Sequence, residues 1–235
     1  MQKICLVIPC YNEQGRLPIS EFVNNYNHSE WYYLFVNDGS KDSTIDILNQ
    51  FKKGREDRVM VVDYKVNKGK SEAVRIGCLN AVKWQDFSII GYIDADLEIP
   101  LSEVPKITGY INKDVHFAFG SRVRRIGATI ERKGYRALLG RTFAIIAAKL
   151  LKIKVYDTQC GAKFFHSRLI TNLFAEKFVT NWIFDVEIFF RLIKLNKNSD
   201  INEYAREVPL DICYDHGGSR IKLVHFIKIP YELLN

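Results

Sequence analysis

Proline and glycine are scarce in this chain, 6 and 14 of 235 residues, and neither gathers into a tract. A collagenous repeat and a proline- or glycine-rich linker are therefore excluded. The five cysteines, Cys5, Cys10, Cys78, Cys160 and Cys213, are odd in number and form no CxxC pair. That speaks against a disulfide framework and a zinc module, and leads us to expect buried thiols in a reducing compartment. No apolar stretch approaches the ~20 residues a spanning helix needs. The N-terminus enters the strand-like KICLVIP directly, without the basic, apolar and small-residue pattern of a cleaved leader. The expectation is a cytoplasmic protein, at most peripherally bound to the cytoplasmic face of a membrane.

What remains is an ordinary globular composition, 47% hydrophobic and 26% charged, at a length that suits one large α/β domain or two intimately joined lobes. Lys and Arg outnumber Asp and Glu by 34 to 27, and the excess thickens between Arg122 and Arg141. Phosphates or an anionic membrane surface are the natural partners of such a stretch. Nucleic acid is not expected, because helix-turn-helix spacing, a Cys/His module and an RNP-type aromatic pattern are all missing.

Short apolar runs rich in β-branched and aromatic residues recur at 4–9, 32–37, 59–64, 88–94 and 115–121, and read as buried parallel strands. Helical patterns separate them, one from about Asp42 with Gly54 as its stop and one over 69–84. The alternation implies a mostly parallel sheet with covering helices. The second half predicts a helix over about 134–152, a strand at 162–166, a helix at 183–195, a strand near 203–210 and an amphipathic helix from about 220 that Pro230 kinks or shortens. No linker divides the chain, so residues 1–235 read as a single domain, with a change of role near residue 100.

In an open parallel sheet, ligands bind beyond the carboxyl ends of the strands. The predicted strand ends here carry Cys10-Tyr11-Asn12-Glu13, Asn37-Asp38-Gly39-Ser40, Asn67-Lys68-Gly69-Lys70 and Asp94-Ala95-Asp96-Leu97-Glu98. Turn-making and helix capping explain any one of these loops, and Ser40, Asp42 and Ser43 in particular. Asp94-Ala95-Asp96 is different: two carboxylates two residues apart, leaving a hydrophobic strand, suit Mg²⁺ or Mn²⁺, with Glu98 completing the oxygen shell.

Four motifs in order, VIPCYNE (7–13), FVNDGSKDST (35–44), NKGKSEAVRIG (67–77) and YIDADLE (92–98), resemble the family 2 glycosyltransferases of GT-A fold. The later segments GSR (120–122), DTQCGAKFF (157–165), WIFDVEIFFR (182–191), EVPL (207–210) and GGSRIK (217–222) are similar to the dolichyl-phosphate β-glucosyltransferases and related polyprenyl-phosphate sugar synthases. The resemblance implies a Rossmann-like GT-A fold with a nucleotide-sugar half (1–98) and an acceptor half (99–235). It implies an inverting transfer of a hexose, glucose from UDP-glucose, to polyprenyl or dolichyl phosphate. Asp38 would contact the nucleoside, with Pro9, Tyr11, Asn12 and Glu13 shaping the same pocket and Lys70 near the nucleotide. Asp94 would meet ribose or metal, and Asp96 and Glu98 would hold Mg²⁺ or Mn²⁺.

A phosphate acceptor is already ionised, so it needs cationic positioning more than a general base. Arg122 and Arg136 match that role best, ahead of Arg132 and Arg141, whereas Arg124, Arg125 and Lys133 fit a solvated basic face. Asp157, Gln159, Cys160 and Gly161 would lie where donor sugar and acceptor meet, and His216 to Arg220 would form a loop over the diphosphate. Asp185 and Glu187 admit two roles, orienting a cation or sugar hydroxyl, or acting as base toward a hydroxyl acceptor. The helix over 137–153 reads equally as core and as an interfacial helix, and the C-terminal segment with Lys222 and Lys228 raises the same question. The branch's Trp after the EVPL-like strand is replaced here by Asp211-Ile212-Cys213-Tyr214. The competing readings are transfer to a sugar hydroxyl in surface-glycan assembly, a catalytically silent nucleotide-sugar-binding module, and a nucleotidyltransferase; the last lacks its Gly-rich phosphate loop.

Overall fold

A computed structural model describes residues 2–131, 134–180, 183–197 and 199–217, with backbone alone for 134–139. The predicted C-terminal helix, Gly218 to Arg220, and Arg132 lie outside the described residues, as does the side chain of Arg136.

The strands are β1 (Ile4–Cys10), β2 (Trp31–Asp38), β3 (Val59–Tyr64), β4 (Ile89–Ile93), β5 (Phe117–Ser121), β6 (Thr129–Ile130), β7 (Ala162–His166), β8 (Ala205–Pro209) and β9 (Ile212–Cys213). The helices are α1 (Ile19–Asn24), α2 (Thr44–Lys52), α3 (Lys70–Trp84), α4 (Val104–Thr108), α5 (Gly134–Leu151), α6 (Ile170–Phe174), α7 (Phe184–Leu195) and α8 (Ile201–Tyr204). Seven strands form one sheet in the order β3-β2-β1-β4-β7-β5-β8, and β6 pairs with β9 in a small parallel ribbon. β1 lies parallel to both β2 and β4, and β2 to β3. β7 alone runs backwards, antiparallel to β4 and β5, while β5 and β8 are parallel.

The strands are almost continuously hydrophobic because both faces of the sheet are covered. In β1, Ile4, Leu6, Ile8 and Cys10 enter one core cluster, while Cys5 and Val7 enter the other. On the first face, Phe22 of α1 meets Tyr33 and Phe35 edge-on, and Leu48 and Phe51 of α2 join them. On the second, α3 buries Ala73, Val74, Cys78 and Ala81 beside Phe184, Ile188, Phe189 and Leu192 of α7. α5 docks on α7 through Phe143, Ala147, Ile183 and Val186, but leaves Ile145, Ile146 and Leu150 exposed. The core-packing expectation for this helix is met on the face that docks on α7. All five cysteines are free and buried.

The chain order reverses between β1 and β4: β2 and β3 extend the sheet to one side, and β4 starts the other. The crevice at such a switch point is where an open α/β sheet binds ligands. All four predicted strand-end motifs lie on adjacent strands around it. The backward β7 brings a fifth segment, because its first residues enter the sheet at the same rim where β4 leaves.

Candidate active site

The rim is built by loops that hold one another. Asn12, at φ 51°, donates its N–H to Ser40 Oγ at 2.9 Å and accepts from the Lys41 N–H at 2.8 Å. The Glu13 N–H donates to Thr44 Oγ1 at 2.8 Å, and the Thr44 N–H to Asp42 Oδ1 at 3.0 Å. Asp42 thus serves the start of α2, the capping role expected of it, and its carboxyl lies below the usual range: burial opposes this, but the bonds from Thr44 and Gln14 prevail. Pro9 lies in the last turn of the β1 ladder opposite Val36, and Tyr11 follows it partly exposed.

Asp38 ends β2 and is buried. Its two oxygens accept from the Lys68 and Gly69 N–H groups, each at 2.8 Å, so its carboxylate ties β2 to the entry of α3. Gly69 adopts φ 94°, a left-handed value that glycine tolerates and that lets both N–H groups turn inward. Burial nonetheless pushes the Asp38 carboxyl up. Lys70, the next residue, ion-pairs with Asp94 Oδ1 at 2.5 Å. Burial works against its ammonium, but Asp94, Asp185 and Asp96 together hold its pKa above the ordinary value.

At the end of β4 the Asp94 N–H donates to the Gly161 carbonyl at 3.1 Å, and Asp96 ion-pairs with Arg16. Burial and then the Asp94 charge push the Asp96 carboxyl up; Glu98 is pushed up by burial and then by Asp96. Carboxylates that raise one another in this way favour a cation between them. Among the described residues no group of three His, Cys, Asp or Glu side chains converges as a metal site. Two carboxylates on one turn are nonetheless a donor pair that a hard cation would accept if substrate phosphates and water supplied its remaining ligands.

Arg122 leaves β5 and is clasped by Asp157: Nε donates to Oδ2 at 2.7 Å and Nη2 to Oδ1 at 2.9 Å, a bidentate pair. Glu207 of β8 accepts from the Asp157 N–H at 2.7 Å and the Tyr156 N–H at 2.9 Å, and so fixes the segment that carries Asp157. Beside this pair lie Ser121 Oγ, Thr158 Oγ1 and Gln159 Nε2, all buried and without a hydrogen-bond partner among the described residues. Buried polar atoms of this kind call for a partner, a water or a ligand group. Cys160 lies in the same turn, its thiol pushed up to about 12 by burial, so it packs as a neutral side chain.

Asp185, in the first turn of α7, points into the second core. Its Oδ1 accepts from Tyr92 OH and from Lys163 Nζ, each at 2.5 Å, and Lys163 also donates to the Cys160 carbonyl at 2.7 Å. Lys163 is fully buried. Glu187, two residues on, accepts from Arg191 and from the Val179 N–H instead. Arg125 pairs with Asp211, and Arg141 stacks over the Tyr156 ring, its guanidinium 4.1 Å from the centroid. Arg16, Lys163 and Glu207 escape a reading of the sequence, because each acts through a partner at least fifty residues away or buried without local warning. The segment that leads to His216 and Gly217 is tied to the β4 loop, since the Tyr214 N–H donates to the Glu98 carbonyl at 2.8 Å.

A mostly parallel sheet with a carboxylate-bearing fourth strand end, a lysine at the entry of α3 and a reversed strand closing the rim define a glycosyltransferase of GT-A architecture. The model of the glycosyl transferase family 2 domain matches residues 5–174, and the chain belongs to that family. It is similar to a dolichyl-phosphate β-glucosyltransferase of Saccharomyces cerevisiae, 30% identical over 98% of this chain and 73% of that one. It is also 28% identical to the Homo sapiens dolichyl-phosphate β-glucosyltransferase, over 80% of this chain and 62% of that one. Among solved structures, glucosyl-3-phosphoglycerate synthase from Mycobacterium tuberculosis with Mn²⁺, UDP and glucosyl-3-phosphoglycerate superimposes with a TM-score of 0.69. The identity is 17%, over 99% of this chain and 79% of that one. That likeness is one of fold.

Proposed function

We propose that this glycosyltransferase moves glucose from UDP-glucose to a dolichyl or polyprenyl phosphate, with inversion at the anomeric carbon, and depends on Mg²⁺ or Mn²⁺. The observation that carries the reading is the juxtaposition, on one rim, of the Asp94-Ala95-Asp96 turn with the Arg122–Asp157 clamp. The named relatives at 30% and 28% identity support the acceptor class.

Pro9, Tyr11, Asn12, Glu13 and Asp38 shape the nucleoside pocket. Lys70 and the carboxylate of Asp94 stand at the diphosphate and ribose. Asp96 and Glu98 hold the divalent cation, which when bound offsets the charge that grows on the departing UDP. Arg122 and Arg136 position the acceptor phosphate, whose oxygen bonds to the anomeric carbon as the bond from that carbon to the UDP oxygen breaks. No proton has to leave this nucleophile, which accords with Asp185 being committed to Tyr92 and Lys163. Asp157, Gln159, Cys160 and Gly161 line the place where sugar and acceptor meet.

The lipid acceptor gives a use to the outer face of α5. Ile145, Ile146 and Leu150 are exposed there, and an open cavity of about 590 Å³ beside them is rimmed by Arg141, Lys149, Lys152 and Lys154. No acidic residue lines it, so the surface complements the anionic headgroups of a bilayer. No helix of the described residues is long and apolar enough to cross a membrane. Peripheral contact at the cytoplasmic face is the arrangement we infer.

The test is direct. Labelled UDP-glucose, Mn²⁺ or Mg²⁺ and a polyprenyl phosphate are incubated with the protein, and label is measured in the organic phase. Metal-dependent lipid label supports the reading. UDP release with label only in water overturns the acceptor assignment, and no release overturns the donor. Flotation with phosphatidylserine vesicles but not with phosphatidylcholine vesicles supports the membrane face; equal or no flotation overturns it.

A further inference from the structure

Arg16 has no part in the scheme above, yet it occupies the centre of the site. It stands in the loop between β1 and α1, in a turn closed by the Arg16 and Leu17 N–H groups donating to the Glu13 carbonyl, each at 2.9 Å. Its guanidinium reaches across the mouth of the sheet to Asp96, eighty residues away, and passes Glu13 Oε2 at 3.9 Å. The two carboxylates of the Asp94-Ala95-Asp96 turn are thereby each met by one cation, Lys70 for Asp94 and Arg16 for Asp96. Lys70 is held by the first turn of α3. Arg16 sits in the loop between β1 and α1, with its side chain 31% exposed.

We propose that Arg16 is a resident counter-ion of the diphosphate site: it holds Asp96 when the site is empty and transfers to the donor diphosphate when nucleotide and cation bind, which couples the two binding events. The inference rests on the metal-dependent donor reading above. A divalent cation arriving alone finds Asp96 already neutralised and a guanidinium beside it, so its binding is opposed by like charge and by the loss of an ion pair. A diphosphate brings oxygen pairs that a guanidinium grips in the bidentate manner it uses for carboxylates. Once Arg16 has that partner, Asp96 is released for the cation. By linkage the enhancement is mutual: nucleotide strengthens cation binding by the factor by which cation strengthens nucleotide binding.

A plain structural latch between two loops is the competing explanation, and it predicts a loss of stability with no change in coupling. The experiment measures Mn²⁺ binding by the free-Mn²⁺ electron paramagnetic resonance signal, with and without UDP, for the wild-type chain and Arg16→Gln. We expect wild type to bind Mn²⁺ weakly alone and at least a hundredfold more tightly with UDP. Arg16→Gln should bind Mn²⁺ alone about tenfold more tightly than wild type and lose at least tenfold of the UDP enhancement, which is about 1.4 kcal/mol of coupling. Arg16→Lys, which keeps the charge but not the paired donors, should lie between the two. It gives a second reading of the coupling should the glutamine variant fail to fold.

Unchanged Mn²⁺ affinity and unchanged coupling in both variants, with or without a fall in melting temperature, overturn the proposal and leave the donor reading intact. A wild-type chain that binds neither Mn²⁺ nor UDP overturns the donor reading and the role of Arg16 with it.

Discussion

Gly161 lies against the carboxylate of Asp94 so closely that a Cβ at position 161 would stand 2.3 Å from Asp94 Oδ2 and 2.6 Å from its Cγ. The Gly161 carbonyl also accepts the Asp94 N–H at 3.1 Å. The first residue before β7 therefore sets both the backbone and the side-chain position of the leading carboxylate on β4. Gly161→Ala should displace that carboxylate, at about 1–3 kcal/mol of stability for the overpacking and a loss of about a hundredfold in turnover for the misplacement. Steady-state kinetics and urea unfolding of the variant check both, and wild-type kinetics would dismiss the contact as incidental.

The Arg122–Asp157 pair is nearly buried, with 11% and 7% of the side chains exposed, and both of its side-chain hydrogen bonds use the planar fork of arginine, beside a third from the Arg122 N–H at 3.2 Å. Lysine cannot reproduce that fork. Arg122→Lys should lower stability by about 1–3 kcal/mol and reduce transfer to a phosphate acceptor at least tenfold, while UDP affinity changes less than twofold. Isothermal titration with UDP alongside the transfer assay separates the acceptor side from the donor side. A loss confined to UDP affinity would move Arg122 to the donor site.

Lys163 and Asp185 form an ion pair in the second core, with Tyr92 as a further donor to the same oxygen. Removing one member of a buried pair strands the other charge, at about 3–5 kcal/mol. Lys163→Met should therefore lower the urea midpoint sharply. Adding Asp185→Asn should restore part of the loss, because the stranded charge is gone; denaturation of both variants measures it. No recovery in the double variant would mean that Lys163 acts through packing alone.

The strand ends of β1, β2 and β4 were legible because these strands are buried on both faces, so the run of apolar residues stops abruptly where the chain reaches the rim; the half-exposed edge strand β3 was legible from its β-branched run alone. Gly54 and the apolar spacing of Leu48 and Phe51 likewise announced α2. The reversed direction of β7 was not legible, since a run such as AKFFH reads alike in either direction and only pairing assigns its sense. The same run hid Lys163, whose burial depends on an aspartate twenty-two residues on and a tyrosine on β4 opposite it in register. Short elements such as α1, β6 and β9 were missed because tertiary contacts, not local periodicity, stabilise them. Arg16 carried no signal at all in the sequence, being one more charge in a loop.

Glu72 and Arg75, one turn apart on α3, join through two hydrogen bonds at 2.7 and 3.0 Å, and Arg75 also donates to the carbonyls of Phe174 and Ala175 at 3.2 and 2.9 Å. The pair thus fastens α3 to the end of α6. The hydrogen bonds from Arg75 hold the Glu72 carboxyl below its ordinary value of 4.5. A carboxyl depressed in the folded state contributes stability above its unfolded value and loses it as pH falls through the folded one. At pH 7 Glu72→Gln should be less stable than wild type by up to about 1 kcal/mol, the scale of a partly exposed pair. As the pH drops below 4.5 the wild-type carboxyl takes up its proton and the difference should close. Urea midpoints of the two proteins at pH 7 and at pH 3.5 decide the matter; a gap that stays constant would mean that Glu72 supports α3 through its stem and not through its charge.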